Sequence, residues 1–150
     1  MKKLIRLFIL LVMITVSGCV SQTPSKPYIL DAKSEKTFGV AGETINVVVS
    51  VANPIAIDFS GNVLIQADMP KCFGMSEVTL GSLKNIEGYL TTISVESGKT
   101  NSALITMQIP QKNEQTCYQP SNHKLNLFVL QNEKVLSNMQ LDFALFDNKR

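Results

Sequence analysis

Residues 43–51, Glu43-Thr44-Ile45-Asn46-Val47-Val48-Val49-Ser50-Val51, decide the fold. Ile45, Val47, Val49 and Val51 fall on one side, and Thr44, Asn46 and Ser50 on the other. A period of two is the period of a strand with one face on a core. Val48 is the exception, an apolar residue on the polar side. Asn53-Pro54 stops the run, and the turn-forming stretch Gly39 to Glu43 precedes it.

The same alternation recurs outward in both directions. Tyr28 to Ala32 reads as a first strand, and Asn62 to Met69 as another, with Val63, Ile65 and Ala67 on one face. Tyr89 to Val95 places Tyr89, Thr91, Ile93 and Val95 together. Ser102 to Ile109 aligns Ala103, Ile105, Met107 and Ile109, and Pro110 ends it. Lys124 to Leu130 and Val135 to Phe146 make a last hairpin around residues 131–134, with Leu125, Leu127, Val129, Met139, Leu141, Phe143 and Leu145 inward. Met75 to Ile86 is ambiguous between a short edge strand and one turn of helix. The count is seven or eight short strands with no amphipathic helix, which predicts an all-β fold, a single antiparallel β-sandwich. No repeat of 20–50 residues calls for a solenoid or propeller.

The N-terminus follows a different rule. Lys2, Lys3 and Arg6 precede an apolar run from Leu7 to Val16, interrupted only by Thr15, then Ser17, Gly18 and Cys19. Basic, apolar, small is the layout of a secretory signal peptide, and the run is short of the roughly 20 apolar residues a spanning helix needs. Val16-Ser17-Gly18-Cys19 resembles the lipobox of prokaryotic lipoproteins, with Val16 in place of the commoner Leu. That resemblance implies cleavage before Cys19 and a diacylglycerol on its sulfur, and Ser21, where a retention Asp stands in some members, favours outer-membrane sorting in a two-membrane cell. The alternative is an ordinary cleaved signal with a chance cysteine. The expected organisation is a signal peptide over 1–18, lipidated Cys19 and tether over 19–27, the sandwich over 28–146 and a polar tail over 147–150. The expected location is the periplasm or the cell exterior, membrane-anchored.

Cleavage changes the totals. The leader takes three of the 14 Lys and Arg residues and none of the 12 Asp and Glu, so the remaining 132 residues carry 11 basic and 12 acidic side chains, a net charge of −1. No basic surface remains to argue for nucleic acid. With Cys19 given to lipid, Cys72 and Cys117 are left as a pair, and an exported compartment favours a disulfide between them. Loops of a sandwich alternate between its two ends. Cys72 and Cys117 share an end, away from the N-terminus, only if Met75 to Ile86 is not a full crossing strand.

Gly42-Glu43 before Val47-x-Val49-x-Val51-x-Asn53, and Ile93 to Thr100 (ISVESGKT) before the strand ending Ile109-Pro110, resemble immunoglobulin-like accessory domains of prokaryotic surface proteins, including cell-adhesion-related domains. The resemblance covers most of residues 28–146 and implies an immunoglobulin-like sandwich. It departs from antibody-type domains in having no Trp and no cysteine on the strands that an inter-sheet bridge would join.

Catalytic constellations are thin. The one histidine, His123, lies six residues after Cys117, and a Cys-His pair would need that thiol reduced. Met69, Cys72, Met75 and His123 form a conceivable soft-metal set for copper. Methionines filling core gaps beside a disulfide are the plainer account, so no cofactor and no metal are expected. Asp58, Asp68, Glu77, Glu87, Glu96 and Glu114 are scattered, which suits solvated acids better than a glycosidase pair. In the loop Asn53 to Gly61, Ile55, Ile57 and Phe59 either cap the core or form an apolar patch for a partner. The expectation is a non-enzymatic lipoprotein. It would present one immunoglobulin-like domain for protein contact or an envelope accessory role, with another envelope protein as partner and either Tyr28 to Ala32 or Met75 to Ile86 offering a free edge. Small-ligand or copper binding is the alternative, and an exported enzyme a second.

Overall fold

In the computed structural model, the residues described are 24–81, 83–110 and 121–146. They form nine strands: β1 (Tyr28–Ser34), β2 (Phe38–Val40), β3 (Thr44–Ala52), β4 (Phe59–Ala67), β5 (Ser76–Leu80), β6 (Leu83–Val95), β7 (Thr100–Gln108), β8 (Ser121–Gln131) and β9 (Lys134–Phe146). A single 3₁₀ turn, Pro70–Phe73, lies between β4 and β5. One sheet has the order β1-β3-β7 and the other β2-β9-β8-β4-β6-β5. The result is an all-β, immunoglobulin-like sandwich.

The 43–51 stretch is the middle strand of the smaller sheet, antiparallel to both β1 and β7. Its inward residues Val47, Val49 and Val51 are fully buried. They meet Val63 and Ile65 of β4, Leu125, Leu127 and Val129 of β8, and Ile105 and Met107 of β7 in one core. Burying each such side chain contributes about 1.5–3 kcal/mol against exposure.

Two elements differ from the sequence reading. The N-terminal segment serves both sheets: β1 pairs with β3, and β2 pairs with β9. The β2–β9 pair is parallel, Phe38 opposite Ala144 and Val40 opposite Phe146, so the sandwich is not wholly antiparallel. The turn expected over 39–43 is reduced to residues 41–43. It is tied by the Gly42 N–H to the Ile109 carbonyl at 2.9 Å, and by Glu43, whose Oε1 accepts from Lys36 Nζ at 3.0 Å and whose Oε2 accepts from the Val40 N–H at 3.1 Å.

The described residues of Met75 to Ile86 contain no helix. Ser76–Leu80 is a strand, paired with the first residues of a β6 that begins at Leu83, well before the expected Tyr89. Only the later part of β6, Tyr89 to Val95, pairs with β4. Leu64, Phe128 and Leu130 point away from the main core, because their neighbours Val63, Ile65, Leu127 and Val129 point into it. Leu80, Val78 and Ile86 pack on them in a second apolar cluster. The β5–β6 hairpin thus folds back over the outer face of the larger sheet. Gly88 sits where β6 changes partner, and a Cβ there would come 2.6 Å from the Ile65 carbonyl oxygen. That approach explains why the ambiguous apolar spacing fits neither one-sided strand nor helix: the hairpin buries one side on an outer face.

The two ends of the sandwich differ in content. At one end the chain enters, with Tyr28 opposite Ala52. The same end carries the loop 53–58, the β6–β7 turn and, through Gln131 Nε2 on the Ser60 carbonyl, the β8–β9 turn. The other end carries residues 41–43, the 3₁₀ turn, and the end of β7.

Lys36, and then the Val40 N–H, hold the Glu43 carboxyl below its ordinary value. A carboxyl lowered by folding stabilises the native state above its unfolded pKa, and that contribution is lost as pH falls through the folded one. Thermal melts on the acid side of the ordinary glutamate range of about 4.3 should therefore show a smaller loss for Glu43→Gln than for the unaltered protein. Equal acid sensitivity would mean that the turn does not use this charge.

Candidate functional site

The end at which the chain enters is organised by Asn53, which is 1% exposed. It follows β3 directly, where Pro54 prevents the strand from continuing. Its Nδ2 donates to the carbonyls of Ile57 at 2.8 Å and Val95 at 3.0 Å, and its Oδ1 accepts from the Ile55 N–H at 3.3 Å. Its own N–H donates to the Lys99 carbonyl and its carbonyl accepts from the Gly98 N–H, each at 2.9 Å. One buried amide thus fixes the loop 53–58 against the β6–β7 turn. Asp58 Oδ1 accepts from the Ser97 N–H at 2.9 Å, and Ser97 Oγ donates to the Ile55 carbonyl at 3.0 Å.

This clasp separates the three residues proposed as a patch. Phe59 is the first residue of β4 and is 2% exposed, so it belongs to the core and offers no surface to a partner. Ile55 is half-buried, and Ile57 stands out at 69% exposed. Beside the clasp, Asp58, Ser94, Glu96, Lys99 and Asn101 line an open cleft of about 470 Å³ floored by Phe59 and Val95.

The opposite end holds the soft-metal candidates. His123 is 3% exposed, its Nδ1 lies 2.8 Å from Asp68 Oδ1, and its ring meets Phe73 edge-on at 5.4 Å. Met75 and Cys72 are buried, whereas Met69 is 42% exposed. Met69, Cys72 and Met75 are neighbours along the chain, and the fold brings His123 to the same end. There, the carboxylate of Asp68 engages one imidazole nitrogen, and Phe73 packs edge-on against the ring. Among the described residues, no three His, Cys, Asp or Glu side chains gather as a metal site. Tyr89 closes this end: its hydroxyl donates towards the Phe73 and Gly74 carbonyls at 3.1 and 3.2 Å and accepts from the Gln108 N–H at 3.2 Å. Cys19 and Cys117 lie outside the described residues.

The sequence reading missed one surface. On the outer face of the smaller sheet, Val48 of β3 and Leu104 of β7 are direct cross-strand partners, 40% and 61% exposed. Polar pairs flank them: Ser50 with Ser102 at 3.0 Å, and Thr106 Oγ1 donating to Asn46 Oδ1 at 2.9 Å. The signal was present in the alternation, since Val48 and Leu104 are each an apolar residue in an otherwise polar row, but only pairing shows that the two exceptions coincide. β1 and β5, the segments named as free edges, are terminal strands of their sheets. So is β7, whose edge is blunted by Asn101 Oδ1 on the Ser102 N–H and by Tyr89 on the Gln108 N–H.

No family model matches this chain, and no curated protein does. Solved structures share its fold. The CARDB domain of a Pyrococcus furiosus protein, solved in complex with di-metal ions, matches with a TM-score of 0.53 at 12% identity, over 82% of this chain and 93% of that one. A Paenibacillus cycloisomaltooligosaccharide glucanotransferase matches with a TM-score of 0.53 at 11% identity, over 83% of this chain and 15% of that one. A Pseudomonas fluorescens alkylpurine DNA glycosylase matches with a TM-score of 0.53 at 14% identity, over 81% and 30%. This chain spans only a minor part of the two enzymes, and at such identities the likeness is one of fold.

Replacing Asn53 with Ala strands the buried Val95 carbonyl and releases the loop. A loss of about 2–4 kcal/mol is expected, from the cost of unsatisfied buried polar groups. Urea unfolding checks it: the midpoint should fall with little change in slope.

Proposed function

We propose that this chain is a membrane-anchored, non-enzymatic lipoprotein that presents one immunoglobulin-like domain for contact with another envelope protein. The leader and Val16-Ser17-Gly18-Cys19 support the anchor. The observation that carries the contact reading is the Val48–Leu104 pair, two exposed apolar residues in direct register on a sheet face that also exposes Leu30 of β1. A groove of about 240 Å³ beside it is lined by Lys33, Ser34, Glu35 and Asn46. Isolated exposed apolar residues are ordinary, but two in direct register on a flat face offer a partner a desolvated centre with a hydrogen-bonding rim. Copper or small-ligand binding around His123 has less behind it, because Asp68 already engages Nδ1. An exported enzyme has less still, since the cleft at Asp58 and Glu96 spends one carboxylate oxygen on the Ser97 N–H.

A cross-link within the domain is part of the same proposal. Two residues, one on either side of position 117 in the sequence, abut the 3₁₀ turn or its end: Gly74 packs on the Gln108 carbonyl, and His123 on Phe73. Cys117 falls between Gln108 and His123 in the sequence, and Cys72 within the turn. A disulfide between them would close a loop of 45 residues, worth about 4 kcal/mol by chain-entropy arithmetic. Unfolding with and without reductant tests it: the reduced protein should unfold at clearly lower denaturant, and identical midpoints would remove the bridge.

For the contact surface, a photo-reactive amino acid at Leu104 should give one discrete adduct in native membranes, and the same probe at the exposed Thr92 of β6 should not. Background adducts at both positions would sink the reading.

A further inference from the structure

We infer that the end of the sandwich at which the chain enters docks on the lipid surface, with Ile57 as the inserted side chain. This deepens the lipid-anchored reading above and rests on it. Residues 24–27 already lie on the domain, with Pro27 buried and Pro24, Ser25 and Lys26 beside Leu136, Ser137 and Asn138 of β9, so only Val20 to Thr23 separate them from Cys19, four residues that reach roughly 14 Å at full extension. The described chain then passes directly into β1, whose Tyr28 lies opposite Ala52, the residue before Asn53. The anchored lipid therefore keeps the loop 53–58 within reach of the bilayer. The far end, with the 41–43 turn and the 3₁₀ turn, is a full strand length further away.

The chemistry of this end suits an interface. Ile57 is the most exposed large apolar residue among those described, at 69%, and Val135 beside the β8–β9 turn is 53% exposed. Lys26, Lys99 and Lys134 lie at the same end and are exposed. Asp58, Glu96 and Glu133 accompany them, so the attraction is not one of net charge. Long lysine stems can nonetheless extend their ammonium groups to the headgroup level while apolar tips enter beneath. Ile57 is not held out by a floppy loop. Asn53 Nδ2 bonds the Ile57 carbonyl itself at 2.8 Å, and Ser97 Oγ bonds that of Ile55. The side chain is thus presented without a large ordering cost. One inserted side chain binds weakly, but a short tether raises the effective concentration of the surface to the millimolar range. Docking would lay the loop on the membrane and fix the domain's tilt, leaving the Val48–Leu104 face to the side.

The chain has no Trp, so a single introduced one reports cleanly. Ile57→Trp and, separately, Leu104→Trp are made in the full chain and expressed in a host that processes lipoproteins. Each is reconstituted into vesicles of phosphatidylethanolamine and phosphatidylglycerol carrying brominated acyl chains. Trp at position 57 should emit to the blue of Trp at 104 and lose about half its intensity to bromine, as expected for an indole at the interface. Trp at 104 should be unaffected. If both proteins float with the vesicles and the two emissions are equally unquenched, docking is overturned while the anchor stands. If neither floats, or if Cys19→Ser floats equally well, the anchored reading itself fails. An Ile57→Asp change in the Leu104→Trp background gives an independent check. Docking predicts faster and wider tumbling of the tethered domain by fluorescence anisotropy, and unchanged anisotropy would count against it.

Discussion

The register of β3 between β1 and β7 is the constraint on which the rest depends. A strand with neighbours on both sides has no freedom to slip, because a shift of one residue would bring Thr44, Asn46 and Ser50 into the core and drive Val47, Val49 and Val51 out. Three fully buried valines make that exchange prohibitive. Once β3 is fixed, Val47↔Ile105 and Val49↔Ala103 fix β7, and Ala32↔Val49 fixes β1. The facing sheet then has only to supply a complementary apolar layer, which β4 and β8 do with Val63, Ile65, Leu125, Leu127 and Val129.

Each end of the sandwich has one polar side chain that joins segments distant in the chain. At the end where the chain enters, Asn53 satisfies backbone groups of two separate loops from a nearly fully buried position. At the other, the Tyr89 hydroxyl joins the 3₁₀ turn to the end of β7. Both are neutral, so neither adds the cost of burying a charge. Both satisfy backbone groups in irregular segments that the sheets leave unpaired.

The strands were legible because a half-buried strand writes its burial into every second residue. The sequence placed β3, β4, β7, β8 and β9 to within a few residues for that reason. It mistook β2 for part of a turn, because three residues are too few to show a period, and the parallel pairing to β9 depends on Phe38 meeting Phe146 across 5.8 Å, which no local pattern contains. The β5–β6 hairpin was ambiguous for a different reason. Its apolar residues Val78, Leu80 and Ile86 bury against the outer face of another pair of strands, so their spacing answers to Leu64 and Leu130 rather than to the main core.

The functional surfaces divide along the same line. Ile57 could be picked out from its loop, because three apolar residues between turn signals have no local reason to be there. Their separation into core, rim and crest follows from the Asn53 clasp, which is a matter of hydrogen bonding at long range along the chain. The Val48–Leu104 spot was hidden more deeply. Each residue alone is an unremarked exception in a polar row, and 56 positions separate them in the sequence. Cross-strand register turns two exceptions into one feature. A surface of this kind is set by topology, since the two residues would lie on the same face but out of contact if β3 and β7 were not neighbours.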